Sequence, residues 1–213
     1  MNYKAVLFDM DGVIVDSEPL HVAAFQATLK RYGHDLSEGQ YKQHFAGRSD
    51  QAGFKQYFDF IGESIELPVI MDEKARAYLG LAADQLVPYP GVIEFIRDQA
   101  ANKISLALVT GSLRAEAEVT LEAFGLTDFF KAIIAAEGIS QSKPSPEGYL
   151  KGAKALGFKP ADCIVIEDAP SGIKAAKMAG MRCLAVTTTH TKEELKEATA
   201  LTDQLRLGCL DSL

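Results

Sequence analysis

The chain has 213 residues, with 22 Lys and Arg against 29 Asp and Glu, a formal net charge of −7, 47% hydrophobic and 24% charged residues and a mean hydropathy of +0.00. That balance is that of a soluble globular protein with enough apolar material for a core, and it argues against disorder and against a membrane-spanning chain. No long basic run offers a footprint for nucleic acid or anionic lipid, so the expected partner is a small molecule, with no nucleic acid and no membrane, and the expected state is a monomer.

The three cysteines, Cys163, Cys183 and Cys209, lack metal-ligand spacing, and two lie in apolar strand-like runs, so they read as small buried hydrophobes. Asp9 and Asp11 interrupt the apolar stretch near the start, which removes the pattern of a secretory leader and makes the cytoplasm the expected compartment.

In chain order, the first element is a continuous apolar run over 5–8, read as a strand buried on both faces. It stops at Asp9 and Asp11 with Gly12 behind them. In open α/β sheets the ligand crevice lies outside the carboxyl ends of the strands, so paired acids there form a candidate active site. Asp-x-Asp-Gly is also ordinary turn chemistry. A helix-loop-helix calcium site fails residue by residue, because the positions that need Gly and Glu hold Ile14 and Leu20.

Ser17-Glu18-Pro19 reads as a helix start and Gly33 as its end. Helical segments over 38–45, 49–61 and 72–83 follow with no convincing strand between them, so 17–85 is predicted as an α-helical insertion. Pro88-Tyr89-Pro90-Gly91 marks the return. An alternation then runs helix 92–101, strand 104–109, helix 113–124, strand 132–136, helix 146–156, strand 163–166, helix 171–179 with Gly180 behind it, and strand 182–186, with a last helix over 191–198. The expected architecture is α/β: a doubly wound, mainly parallel sheet from 1–16 and 86–213, with a helical cap domain, 17–85, inserted after the first strand.

Chemistry recurs at the other strand ends. Thr110-Gly111-Ser112 puts two hydroxyls where a helix start could hold a phosphate, although hydroxyls are also ordinary helix caps. Lys143, held extended by Pro144, offers a cation. Glu167-Asp168 repeats the paired acids of the first strand. Bringing Asp9, Asp11, Glu167 and Asp168 together is costly unless a cation is present, and oxygen-only ligands suit magnesium. Thr110, Lys143 and that ion would then surround a phosphoryl group.

These four motifs, Asp9-Met10-Asp11-Gly12, Thr110 with Ser112, Lys143, and Glu167-Asp168, resemble in order those of the haloacid dehalogenase superfamily, along the whole chain. The insertion, opening with Asp16-Ser17-Glu18-Pro19-Leu20-His21, resembles the subgroup whose helical cap follows the first motif, which contains sugar-phosphate phosphatases and β-phosphoglucomutase. The resemblance implies a Rossmannoid core, Asp9 as a nucleophile that forms an aspartyl-phosphate, and Asp11 as general acid and then general base. It makes Thr110 and Lys143 their catalytic partners, Ser112 and Lys143 contacts of the substrate phosphate, and Asp9, Asp11, Glu167 and Asp168 the magnesium set. The superfamily's dehalogenases lack the second acid, so Asp11 favours phosphate chemistry. Asp11 must hold a proton near pH 7 against a reference value of about 3.9, a rise of about 3 units worth about 4 kcal/mol, which cap closure and neighbouring charge are expected to supply.

Within the cap the mutases carry a lysine just before a glycine, and here the stretch is Phe45-Ala46-Gly47-Arg48-Ser49. Ala46 removes that lysine and Arg48 offers a different cation. His21 matches a cap-hinge histidine of the mutases, and with Gly47, Arg48 and Ser49 it forms the expected substrate-binding set of the cap. His34, His44 and His190 read as surface residues. The implied function is a magnesium-dependent phosphatase of a small phosphorylated sugar or related metabolite. A β-phosphoglucomutase-type mutase is the alternative. A phospho-accepting, receiver-like signalling module is a distant one, disfavoured by the insertion and the second carboxyl.

Overall fold

The computed structural model of the chain describes residues 3–211 and 213. They form two compact units, Met1–Asp16 with Val87–Leu213, and Ser17–Leu86. The first unit begins with β1 (Ala5–Phe8), in which every residue is buried. A short strand, β2 (Val15–Asp16), precedes the second unit, and β3 (Val87–Pro88) follows it; the two pair antiparallel, Val15 opposite Pro88 and Asp16 opposite Val87. The chain then supplies β4 (Ser105–Val109), β5 (Phe130–Ile134), β6 (Cys163–Glu167), β7 (Arg182–Val186) and β8 (Ala200–Thr202). With β1 these make a six-stranded sheet in the order β5-β4-β1-β6-β7-β8, and every pairing is parallel. β1 sits between β4 and β6, with later strands added first on one side and then on the other, so the carboxyl ends of β4, β1 and β6 meet where the winding reverses. That is the position at which doubly wound sheets hold ligands.

The second unit is helical: α1 (Glu18–Arg31), α2 (Glu38–His44), α3 (Asp50–Ile61) and α4 (Leu67–Gln85). Ser37 caps α2, with Gln40 returning a bond to the Ser37 backbone at 3.0 Å, and Gly62, in the left-handed region, ends α3. Phe25, Leu29, Tyr41, Phe45, Phe54, Tyr57, Phe58 and Ile70 form its core. The Phe25 ring centroid lies 4.4 Å from that of Phe45 and 5.1 Å from that of Phe54. Within this aromatic interior Lys74 is 0% exposed. Its ammonium meets Asp50 at 2.9 Å and His21 Nδ1 at 2.9 Å, and lies 5.2 Å from the ring centres of Phe25 and Tyr78.

The sheet is flanked by α5 (Val92–Ala101), α6 (Arg114–Ala123), α7 (Glu147–Leu156) and α8 (Pro170–Met178). All-parallel sheets need both faces covered, which is why β1, β4 and β6 are buried at every position. Cys163 of β6 and Cys183 of β7 lie in one buried core with Leu7, Val109, Tyr149 and Ile173. Among the described residues no helix is long and apolar enough to cross a membrane.

Four expectations need correction. The strand expected over 132–136 lies two residues earlier, because Phe130 anchors it against Phe8, with the rings 5.7 Å apart. The helix expected over 72–83 begins at Leu67, since Pro68 sits in its first turn, where its missing N–H costs nothing. Residues 191–198 form turns rather than a helix. Thr191 and Glu194 do make a helix-start pairing, but Leu195 is fully buried and Thr199 N already bonds the Cys183 carbonyl at 2.8 Å, so the chain must rejoin the sheet as β8. His44 is not a surface residue: it shares the inward face of α2 with Tyr41, is 2% exposed and packs against Tyr57 and Phe60.

Removing one partner of a buried ion pair strands the other charge, at about 3–5 kcal/mol for deeply buried pairs. Because the Asp50 side chain keeps 25% exposure, Lys74→Ala is expected to lower stability by about 3 kcal/mol, read from urea unfolding by circular dichroism. A loss below about 1 kcal/mol would show that Lys74 is not holding this unit together.

Candidate active site

The acids of the first motif stand on a tight turn. Asp9 N still bonds the Ile166 carbonyl at 3.0 Å, as a ladder residue would, and then the amides of Val13, Ile14 and Val15 all reach back to the Met10 carbonyl. Gly12 makes the turn possible with φ +79°, and a Cβ there would run into the Asp168 carboxylate. Only glycine satisfies both demands.

Around this turn the structure gathers residues from several strand ends. Lys143 Nζ lies 2.8 Å from Asp9 Oδ1 and 2.7 Å from Glu167 Oε1. The turn carrying it is closed by Ser145 N on the Ser142 carbonyl at 3.0 Å, and Glu147, in the first turn of α7, holds the amides of Ser140 and Gln141 at 2.9 Å each. Ser112 Oγ donates to Asp11 Oδ2 at 2.6 Å, and Thr110 Oγ1 lies 3.4 Å from the same oxygen. The Thr110 hydroxyl also accepts from Ser112 N at 3.0 Å, fixing the loop after β4. Asp9, Asp11, Thr110, Ser112, Lys143, Glu167 and Asp168 thus fall into one connected group.

Asp9, Glu167 and Asp168, all buried, each offer a carboxylate oxygen within 4.8 Å of the others. An all-oxygen, anionic donor set suits a hard divalent cation such as magnesium. The charges point the same way. Burial raises Asp9 well above the usual carboxylate range, opposed by the ammonium of Lys143 and reinforced by Glu167, Asp168 and Asp11. Burial and then Glu167 raise Asp168 to about 6, against the Thr189 hydrogen bond, Lys143 and His190. Burial alone would lower Lys143, but Asp9 and Glu167 overcome it and its net shift is upward. One ammonium does not offset so many buried carboxylates, and a bound cation would. Glu167 is already heavily engaged: Oε1 accepts from Lys143 and from the Tyr149 hydroxyl at 2.6 Å, and Oε2 from the amides of Asp168 and Ala169 at 3.0 and 3.2 Å.

The expected cap residues have visible partners inside their own unit. His21 contacts Lys74 and stacks on Tyr78 with centroids 4.6 Å apart. Ser49 caps α3 by accepting from Ala52 N at 3.4 Å. Gly47 takes φ +70° in the turn between α2 and α3, and the exposed Arg48 donates from Nη1 to the Ala46 carbonyl at 3.2 Å. Two residues at the site escaped sequence reasoning. Tyr149, on α7, carried no signal, since a tyrosine in an amphipathic helix reads as core. Thr189, whose hydroxyl meets Asp168 Oδ2, did: Thr187-Thr188-Thr189 follows β7 as Thr110 follows β4.

The upward shift at Asp168 has a checkable sign. A carboxyl whose folded value lies above its unfolded one contributes stability that is complete below about pH 4 and lost as pH rises through about 6. In chelator, Asp168→Asn is therefore expected to stabilise the protein at about pH 8 and to be neutral near pH 4. A shift from 3.8 to about 6, at about 1.4 kcal/mol per unit, makes the difference roughly 2–3 kcal/mol. Unfolding curves of both proteins at the two pH values measure it, and an equal effect at both would contradict the assignment.

Residues 6–186 match the family described as haloacid dehalogenase-like hydrolase. The validoxylamine A 7′-phosphate phosphatase of Streptomyces hygroscopicus subsp. limoneus is 33% identical over 205 residues, covering 95% of this chain and 94% of that protein. The fructose-1-phosphate phosphatase YqaB of Escherichia coli is 32% identical over 181 residues, covering 84% and 94%. Among solved structures, the β-phosphoglucomutase of Clostridium difficile superimposes with a TM-score of 0.83 at 27% identity, covering 99% of this chain and 96% of that one. With acids and hydroxyls at the ends of β1, β4 and β6, Lys143 beside them, and the family match spanning residues 6–186, the chain belongs to the haloacid dehalogenase-like hydrolase family.

Proposed function

We propose that the chain is a magnesium-dependent phosphatase that hydrolyses a small phosphorylated sugar or related metabolite through a phosphoryl group carried on Asp9. The observation that carries this reading is the Asp9–Lys143 contact of 2.8 Å at the end of the central strand. It sets a carboxylate beside a fixed ammonium, with Asp11 two residues away on the same turn. A carboxylate nucleophile divides one difficult displacement into two easier ones.

In the first step an Asp9 oxygen bonds to phosphorus as the bond from phosphorus to the ester oxygen breaks, and Asp11 gives its proton to that leaving oxygen. In the second, Asp11 takes a proton from water, the water oxygen bonds to phosphorus and the bond to Asp9 breaks, which releases inorganic phosphate and restores both carboxylates to their starting states. Lys143, Thr110 and Ser112 face the phosphoryl oxygens in this reading, with Ser112 also orienting Asp11. Asp9 and Asp168, with Glu167 and Asp11 around them, would hold magnesium, which when bound offsets the negative charge of the transferring group. His21, Gly47, Arg48 and Ser49 are assigned to the non-reacting part of the substrate.

The sugar-phosphate assignment is supported by the two relatives named as phosphatases of validoxylamine A 7′-phosphate and of fructose 1-phosphate. The likeness to a β-phosphoglucomutase favours a mutase as the second reading. A mutase must keep its phosphoenzyme from water while the sugar reorients. Here Ala46 stands where the mutases carry a lysine, which supports release to water.

A panel of phosphorylated sugars assayed with magnesium and with chelator is expected to give phosphate release that vanishes in chelator. Incubation with β-glucose 1-phosphate and a trace of the 1,6-bisphosphate is expected to yield less glucose 6-phosphate than free phosphate; the reverse would establish the mutase. Arg48→Ala is expected to raise KM for the preferred sugar phosphate by about tenfold or more and to leave KM for p-nitrophenyl phosphate within about twofold, because the aryl ester offers little beyond the phosphoryl group to bind. Equal effects on both substrates would remove Arg48 from the recognition set.

A further inference from the structure

The loop after β7 carries three threonines, of which two reach into the site. Leu184 and Ala185 of β7 lie opposite Ile166 and Glu167 of β6, so the residues following β7 run alongside Asp168. Thr188 Oγ1 donates to the Gly12 carbonyl at 2.5 Å. Thr189 Oγ1 meets Asp168 Oδ2, lies 3.3 Å from the Asp168 carbonyl oxygen and is 2.8 Å from His190 Nδ1. The Thr189 methyl lies 3.1 Å from where a Cβ on Gly12 would stand, and that same position is blocked by the Asp168 carboxylate. Gly12 and Thr189 therefore bracket the Asp168 side chain.

A hydroxyl has one hydrogen to give and two lone pairs to receive. Of the acceptors within reach, an ionised carboxylate is the strongest. The Thr189 hydrogen therefore goes to Asp168 Oδ2, and a lone pair receives His190 Nδ1–H, the tautomer that this arrangement requires. Asp168 is one of the three acids whose oxygens cluster, and the Thr189 bond is among the influences that oppose its upward shift.

We infer that Thr189 is a positioning residue for the cation site: its hydroxyl fixes the rotation of the Asp168 carboxylate, so that an oxygen is presented to the ion without an ordering cost at binding. This rests on the magnesium-dependent reading above. Partners that orient a ligating carboxylate are worth about 10–100-fold in metal affinity. Thr188, by holding the Gly12 carbonyl, steadies the turn that bears Asp9 and Asp11 in the same way. Thr189 is itself exposed, so removing its hydroxyl opens no cavity in the core.

The test is calorimetric titration of magnesium into metal-free protein without substrate, for the parent, Thr189→Val, Thr189→Ala and Thr189→Ser, with melting curves in chelator to verify folding. Val and Ala are expected to weaken magnesium binding about tenfold or more, and Ser, which keeps the hydroxyl, to stay within about twofold of the parent. Val and Ala variants that bind like the parent would overturn the inference, as would a Ser variant as weak as Val, since the hydroxyl would then not be the cause. A parent protein that binds no magnesium would overturn the metal reading and this inference together, whereas a binding parent with unchanged variants overturns the inference alone.

Discussion

The candidate site depends on one imbalance: several buried carboxylates around a single ammonium. Lys143 reaches Asp9 and Glu167 at once, at 2.8 and 2.7 Å, and cannot neutralise both together with Asp168. Like charges this close and this buried repel strongly in a low effective dielectric. The surroundings answer with donors. Tyr149 and two amides serve Glu167, Ser112 serves Asp11 and Thr189 serves Asp168. What remains is attraction for a divalent cation, which together with Lys143 would offset the negative charge of a phosphoryl group. The sheet order serves the same end, since the parallel neighbours β4, β1 and β6 bring the acids and hydroxyls that follow them together, and Lys143 reaches them from the segment between β5 and α7.

The helical unit uses a comparable device to a different end. Lys74 is buried among aromatic rings and meets Asp50 and His21, joining α1, α3 and α4 through a single ammonium. Its charge is met partly by Asp50 and partly by the faces of Phe25 and Tyr78, an arrangement open to a compact cation that sits over rings. A packing that separated Lys74 from Asp50 would leave a buried charge without its carboxylate.

Much of the α/β unit was legible because its signals are local. The continuous apolar run of 5–8 and its abrupt stop at Asp9 define β1 and its acids, and Pro88-Tyr89-Pro90-Gly91 marks the return to the sheet. Thr110, Ser112, Lys143, Glu167 and Asp168 each stand in the segment that follows an apolar run, and the structure brings them together. What escaped depended on distant parts of the chain. The turns over 191–198 contain a sound helix start, but the pairing of β8 with β7 overrides it. His44 carries a polar side chain on a face that only the packing of α2 against Tyr57 and Phe60 reveals as inward. Tyr149 matters through an oxygen at the end of a helical side chain, to which no spacing rule points, and Thr189 acts from a loop whose neighbour was set by sheet order.

The proposed mechanism requires that Asp9 carry the phosphoryl group. The direct measurement is mass spectrometry of the Asp11→Asn protein after mixing with magnesium and p-nitrophenyl phosphate. That leaving group needs little protonation, so the first step can proceed while the second, lacking its base, stalls. The expected result is a gain of one phosphoryl mass, localised to the peptide that contains Asp9 and absent when Asp9 is also replaced by Asn. A phosphoryl group on any other residue, or rapid turnover with no phosphoenzyme at all, would contradict it.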